Sequence, residues 1–138
     1  MENFKNGYNC AQSVFVAFSD VMGIDEASAA RMSSPFGGGM GRMREVCGAV
    51  SGMYMALGVI FGYDNPKDVN AKKELYADVR RLAKEFSDKY DTIVCRELMG
   101  IKKGEPDNVG HDPRCVRFVV KAAVVLDDYI EKCGKISK

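Results

Sequence analysis

The sequence contains no tryptophan and a single histidine, His111. Metal sites and acid–base sites built on histidine therefore have almost nothing to draw on. The opening segment MENFKNGYNC has no apolar run, which argues against a signal peptide and leads us to expect a cytoplasmic protein. Neither sign of charge is in excess, with 20 Lys and Arg against 19 Asp and Glu, so no nucleic-acid partner is expected.

Cysteine is the reactive residue type that remains, and none of its five copies forms a C-x-x-C pair. The spacing therefore predicts neither a zinc finger nor a thioredoxin-like redox pair. Five cysteines in 138 residues are also too few for a small secreted disulfide scaffold. Because five is an odd number, at least one thiol is unpaired within the chain.

Capping residues and apolar spacing predict an all-α fold, a helical bundle formed as a single domain over residues 1–138. Asn9, Asp25 and Asp112 are the expected N-caps, and no alternating strand pattern appears. The predicted helices cover residues 10–22, 27–32, 46–63, 66–89, 95–100 and 113–133. His111 falls in a polar loop before the last of them and is interpreted as a solvated residue.

The segment 46–63, VCGAVSGMYMALGVIFGY, carries no charge. As a helix it would be about 27 Å long, short of the roughly 30 Å of a bilayer core, and it is rich in Gly and Ser. We therefore expect the central buried helix of the bundle and no membrane span. The pairs Gly48 and Gly52, and Gly58 and Gly62, predict close approach by another helix, either of this chain or of a second copy in a homodimer.

Four of the five cysteines fall in the first turns of predicted helices, namely Cys10, Cys47, Cys95 and Cys115. The positive end of a helix dipole and its free N–H groups stabilise a thiolate and lower its pKa, and neighbouring arginines act in the same direction. We therefore expect a lowered thiol pKa in at least one of the four, above all in Cys47 beside Arg44. Cys133, at the end of the last helix, is interpreted as a structural or surface thiol.

The stretch PFGGGMGR before Cys47 is rich in glycine. It lacks a preceding strand and a GK[ST] ending, so it does not predict a nucleotide site. A loop whose backbone passes close to the thiols is more plausible. Such a loop would hold a small anionic ligand through Gly38, Gly39, Gly41, Arg42 and Arg44.

Several motifs together resemble the family of redox-active proteins named for its C_GCAxxG_C_C cysteine pattern. They are GYNCAQSV at 7–14, FGGGMGR at 36–42, CGAVSG at 47–52, CRELMG at 95–100 and the final Cys115. The resemblance implies a small helical protein, similar to a domain that accompanies a multihaem cytochrome, with thiol or metal redox work. Carried over to this chain, it implies that Cys10, Cys47, Cys95 and Cys115 are the functional residues.

Two hypotheses of different classes follow. In the first, the four cysteines converge on a redox site. There, either Cys47 attacks a disulfide or oxidant and a second cysteine resolves it, or the four thiolates bind zinc or an iron–sulfur cluster. In the second, the chain is a non-enzymatic dimeric module that binds a small anion at the glycine loop. The redox partner, and whether the protein turns over a substrate, are left open by the sequence.

Overall fold

A computed structural model describes residues 2–101 and 112–133, and within them the chain is helical. The all-α prediction is confirmed. The loop predicted around His111 lies outside the described residues. The helices are α1 Glu2–Lys5, α2 Cys10–Ala17, α3 Ser19–Met22, α4 Glu26–Ser33, α5 Gly48–Phe61, α6 Val69–Tyr90, α7 Cys95–Met99 and α8 Val116–Lys132. Short turns at Ser34–Phe36, Gly37–Met40 and Pro113–Cys115 connect them.

Side-chain caps set the starts of several helices, as the sequence predicts. The Asn9 side chain accepts a hydrogen bond from the Gln12 backbone N–H, and the Gln12 side chain accepts one from the Asn9 backbone N–H. This reciprocal pair is a capping box at the start of α2. Asp25 caps α4 by accepting the Ser28 N–H, and Asp68 caps α6 by accepting the Ala71 N–H, in both cases without a capping box. The helix predicted over 10–22 is interrupted at Phe18, whose φ of −102° and ψ of 12° separate α2 from α3.

The core lies between α2, α5 and α8, and α6 packs against the last two. Its largest fully buried side chains include Phe15, Met53, Leu57, Phe86 and Phe118. Each such side chain contributes about 1.5–3 kcal/mol when it leaves water. No helix among the described residues is both long and apolar enough to cross a bilayer.

Helix α5 is buried in its first part and emerges toward its end, which corrects the prediction of burial all along the charge-free segment. A Cβ added at Gly52 would lie 2.5 Å from the Ala11 carbonyl oxygen, so close approach of α2 requires glycine there. A Cβ at Gly58 would meet no atom of the described residues within 4 Å, and the neighbouring Val59 is exposed. Contact with a second copy of the chain stays a prediction.

Candidate functional site: a cluster of four thiols

Each of the four predicted cysteines stands at the start of a helix. Cys10 and Cys95 are the first residues of α2 and α7, and Cys47 is the N-cap of α5. Cys115 ends the Pro113–Cys115 turn and directly precedes α8. The predicted placement at helix starts is therefore confirmed for all four.

Backbone hydrogen bonds join the segments that lead into Cys47 and Cys95. Val46 and Val94 form an antiparallel bridge. The Cys47 N–H donates to the Ile93 carbonyl at 2.7 Å, and the Cys95 N–H donates to the Glu45 carbonyl at 2.6 Å. The segments entering α5 and α7 are thus held together immediately before their cysteines.

Two glycines let the backbone approach the cysteines, and one of them, Gly39, belongs to the glycine loop for which this approach is predicted. A Cβ added at Gly48 would lie 2.4 Å from Cys10 Sγ, and one added at Gly39 would lie 2.7 Å from Cys95 Cβ. Real Cβ atoms do not come that close to a neighbour. Glycine at these two positions therefore lets Cys10 pack against the start of α5 and lets Cys95 pack against the loop that precedes α5.

The glycine loop adopts a left-handed turn in which five consecutive residues, 38 to 42, have φ between 58° and 69°. Two of the five, Met40 and Arg42, are not glycine, and Arg44 also has a positive φ of 63°. Each costs about 1–2 kcal/mol relative to the right-handed conformation. Backbone bonds hold the turn closed: the Glu45 N–H donates to the Gly39 carbonyl at 2.9 Å.

Burial is the largest influence on the pKa of three of the thiols. It raises the pKa of Cys10 and of Cys47 above the ordinary value, and it raises the pKa of Cys115 to about 12. Backbone N–H groups do point at two of these sulfurs, from Gly38 to Cys10 and from Val50 to Cys47, but their lowering effect is the smaller one. The prediction that Cys47 is the activated thiol is therefore wrong, because desolvation outweighs the helix N-terminus.

Arg44 contacts a different cysteine from the one predicted. Its Nη1 lies 3.8 Å from Cys95 Sγ. Its positive charge also lowers the pKa of Cys115, although less than burial raises it. Arg44 therefore contacts Cys95 and acts electrostatically on Cys115.

Electrostatic interactions link Cys10 and Cys95 to each other and to both of the other thiols. Negative charge on Cys10 or on Cys95 raises the pKa of Cys47, and the same two residues raise the pKa of Cys115. Cys10 and Cys95 also interact with each other. Cys10 and Cys95 therefore each interact electrostatically with both Cys47 and Cys115.

The four thiols differ in how far they are exposed to solvent. Cys10, Cys47 and Cys95 are at most 7% exposed, whereas Cys115 is only partly buried. Cys115 Sγ rests 4.0 Å from the thioether sulfur of Met99, which is itself buried. Sequence reasoning missed Met99, since a methionine at that spacing is ordinarily a core residue.

The described cysteines are all free thiols. Within residues 2–101 and 112–133, no three or more His, Cys, Asp or Glu side chains are arranged to hold a metal ion. In this arrangement the thiols do not fit the tetrahedral site that zinc or an iron–sulfur cluster requires. That at least two pairs lie close enough for a disulfide stays a prediction.

Cys133 lies apart from the cluster, as expected. It is the C-cap of α8 and lines a cavity of about 400 Å³ with Tyr129 and Asp78. Burial, Asp78 and Cys133 together raise the pKa of Tyr129. The cavity is also lined by the acidic residues Asp64, Asp68 and Glu74.

The fold and the cluster define a class: small all-α proteins that gather four cysteines at helix starts. The sequence profile of the family described as "Putative redox-active protein (C_GCAxxG_C_C)" matches residues 8–129. The chain therefore belongs to this family, and the resemblance read from its motifs is confirmed. The matched segment contains the four clustered cysteines and leaves Cys133 outside. No curated protein and no solved structure matches the chain.

Proposed function

We propose that the chain is a thiol–disulfide exchange protein in which Cys115 is the thiol that meets the substrate. The observation that carries the proposal is the difference in exposure among the four thiols: Cys115 is partly exposed, whereas the other three are buried. A substrate disulfide can reach Cys115, whereas Cys47, the nucleophile expected from the sequence, is 4% exposed. Membership of a redox-active cysteine family supports the same chemistry.

The exchange proceeds in two balanced steps. The Cys115 thiolate attacks one sulfur of a substrate disulfide, the substrate S–S bond breaks, and one substrate thiolate leaves. Cys10 or Cys95, both within electrostatic range of Cys115, then attacks Cys115 Sγ and releases the second substrate thiolate. Two protein thiols are oxidised to one disulfide, one substrate disulfide is reduced to two thiols, and the two protons pass to the released thiolates.

The residues around the cluster stabilise the charges that these steps create. The Arg44 guanidinium lies against Cys95 and favours the thiolate of Cys115. The Gly38 N–H favours the thiolate of Cys10. Each group therefore assists a sulfur that carries negative charge as it attacks or leaves.

Cys47 gives the cluster a second pair. When Cys115 bonds to Cys10 or Cys95, either of these two is a candidate partner for Cys47, since both interact with Cys47 electrostatically. The Cys47 thiolate would attack the sulfur bonded to Cys115 and release the Cys115 thiolate, which then reduces a second substrate disulfide with the remaining cysteine as its partner. Two substrate disulfides are thereby reduced and two protein disulfides formed, a capacity of four electrons. In this role Cys47 stores electrons and does not meet the substrate.

Mapping the disulfides tests the proposal. The reduced protein is treated with 2-hydroxyethyl disulfide, remaining thiols are alkylated, and the linked peptides are identified by mass spectrometry. We expect a bond from Cys115 to Cys10 or Cys95, with Cys133 alkylated throughout. A first disulfide that excludes Cys115 would contradict the proposal.

Metal analysis after anaerobic purification tests the metal version of the redox hypothesis. We expect free thiols and no stoichiometric metal. Zinc or iron bound with four protected thiols would replace the exchange mechanism by metal–thiolate chemistry. An intact ligand-binding dimer after substitution of all four cysteines would favour the anion-binding module.

A further inference from the structure

Three side chains at one side of the cluster carry sulfur. Cys95 and Met99 lie four residues apart in α7, and side chains at that spacing are neighbours on one face of a helix. Cys115, at the end of the turn before α8, brings its Sγ to 4.0 Å from Met99 Sδ. Cys95 also interacts electrostatically with Cys115. We name this set of Cys95, Met99 and Cys115 the sulfur triad.

The distance between the Cys115 and Met99 sulfurs suits two ligands of the same metal ion. With metal–sulfur bonds of about 2.3 Å, as in zinc thiolates, two sulfur ligands that are about 120° apart lie about 4.0 Å from each other. The separation of the two sulfurs in the structure is 4.0 Å. Cys95, one helical turn before Met99, supplies the third sulfur of a three-coordinate site.

Sulfur donors of these two kinds favour a soft metal ion. Thiolate and thioether ligands together select Cu(I), whereas Mg²⁺, Ca²⁺ and Mn²⁺ are bound by oxygen. Zinc in structural sites takes four ligands from Cys, His and carboxylate groups, and a thioether is not among its ordinary ligands. Cu(I) also accepts three sulfur ligands, which is the number that the triad offers.

The surroundings of Cys115 favour the entry of a cation. Cys115 is partly exposed, while the other two members of the triad are at most 7% exposed, so an ion would reach Cys115 first. The Asp112 carboxylate raises the pKa of Cys115 more than Arg44 lowers it. Of these two charges, the negative one therefore has the larger effect at this sulfur. Arg114 bonds to both oxygens of Asp112, which leaves sulfur as the donor that the triad offers.

We propose that the sulfur triad is a binding site for one Cu(I) ion. On binding, two copper–thiolate bonds and one copper–thioether bond form, the two thiol protons pass to solvent, and no electron is transferred. The site differs from the four-thiolate site considered for zinc or iron, because it uses a methionine and leaves out Cys10 and Cys47. The inference goes beyond disulfide exchange and does not rest on it, although both use Cys115.

An anaerobic competition titration tests the inference. The Cys133→Ser protein, reduced and free of metal, is added to Cu(I) held by bicinchoninate, and the loss of the coloured complex measures the transfer of copper to the protein. We expect one Cu(I) ion per chain. Transfer of no copper, or of two or more ions per chain, would overturn the inference.

Substitution of Met99 locates the ion. Leucine at this position removes the thioether and keeps a similar side-chain volume. Because loss of a group that only orients a metal ligand already lowers metal affinity about 10–100-fold, Met99→Leu should weaken Cu(I) binding by a factor of about ten or more. Met53→Leu, at a fully buried methionine of α5, is the matched control and should bind Cu(I) as the unsubstituted protein does. Equal affinities in the two variants would contradict a site that includes Met99.

Selenomethionine gives a test that needs no substitution of Met99. Protein made with selenomethionine in place of methionine is loaded with Cu(I), and X-ray absorption at the copper edge identifies the neighbours of the ion. We expect two sulfurs and one selenium, and a shell of sulfur without selenium would overturn the inference. Disulfide exchange is measured without copper, so these outcomes leave the proposed function standing, and a failure of exchange likewise leaves the copper site standing.

Discussion

The two ends of α5 can be compared, because each end has a pair of glycines and at least one cysteine nearby. At its start, Gly48 and Gly52 admit Cys10 and the backbone of α2 to within van der Waals contact. At its end, a Cβ at Gly58 would meet no atom of the described residues within 4 Å, and Phe61 and Gly62 line the acidic cavity that Cys133 also lines. The first end buries three thiols, whereas the second leaves its cysteine partly exposed.

The comparison shows that the two ends differ in how closely the neighbouring backbone packs against α5, more than in which residue types they contain. Glycine and cysteine occur at both, but close packing at the start of α5 forces thiols from distant segments together. At the other end, Asp78 and Tyr129 surround a helix C-terminus, where negative charge on a thiol is disfavoured. Redox chemistry is therefore expected at one end of α5 and not at the other.

Substitution of single cysteines is expected to have the largest effect and to distinguish the two ends of α5. Cys115→Ser should abolish oxidation by 2-hydroxyethyl disulfide, a loss of at least a thousandfold, because the entry thiol is gone. Cys133→Ser is the matched control and should react at the unsubstituted rate. Rates are measured by loss of free thiol in folded protein. Comparable losses in both variants would show that the two ends are not functionally distinct.

The next largest expected effect is the dependence of the exchange rate on pH. With the pKa of Cys115 raised to about 12, its thiolate fraction increases about tenfold for each pH unit between pH 7 and 10. The exchange rate of the Cys133→Ser protein should rise in proportion, about a thousandfold in all. A reference peptide should level off above its pKa of about 8.5. A plateau near pH 8.5 in the protein would contradict the effect of burial.

Alanine at the two glycine positions of α5 should have opposite effects on stability. Gly52→Ala places a Cβ 2.5 Å from the Ala11 carbonyl oxygen and should cost about 1–3 kcal/mol of unfolding free energy. Gly58→Ala meets open space and should gain about 0.5–1 kcal/mol, because alanine is the better helix former. The sequence-based expectation was that both positions are tightly packed. Denaturant unfolding of the two variants shows whether Gly58 is tightly packed, as expected from the sequence, or exposed, as in the structure.

The smallest expected difference concerns the helix caps. Asn9→Ala should cost up to about 2 kcal/mol, since Asn9 closes the capping box of α2 and also donates to the Ser34 carbonyl at 3.1 Å. Asp68→Ala removes a single cap bond from α6 and should cost about 1 kcal/mol or less. Thermal unfolding measures both. Equal costs would indicate that the bond from Asn9 to Ser34 contributes nothing to stability.

Local signals explain what the sequence predicts well. Asn9 and Asp25 bond to N–H groups three residues ahead, so the residues that fix a helix start stand next to it. The same reasoning placed four cysteines at helix starts. The left-handed conformation of Met40, Arg42 and Arg44 has no comparable signal, because it depends on closure of the loop against the rest of the chain.

Tertiary packing explains what the sequence does not predict. A first-turn cysteine has a lowered pKa where water can reach it, but Cys47 is desolvated by its neighbours and its pKa rises instead. Arg44 is three residues from Cys47 in sequence and yet contacts Cys95. The exposure of Gly58 likewise depends on where the neighbouring helices end, which no pattern within α5 records.

The assembly of the cluster from four distant segments has a consequence for synthesis of the protein. Cys115 is translated 105 residues after Cys10, a delay of roughly 5–20 s at ordinary elongation rates. During that interval the earlier cysteines lack the packing that buries them, and their pKa is that of an unfolded chain. A newly made chain is therefore more open to oxidation and to incorrect pairing than the finished protein, and the reducing capacity of its surroundings matters most before residue 115 has emerged.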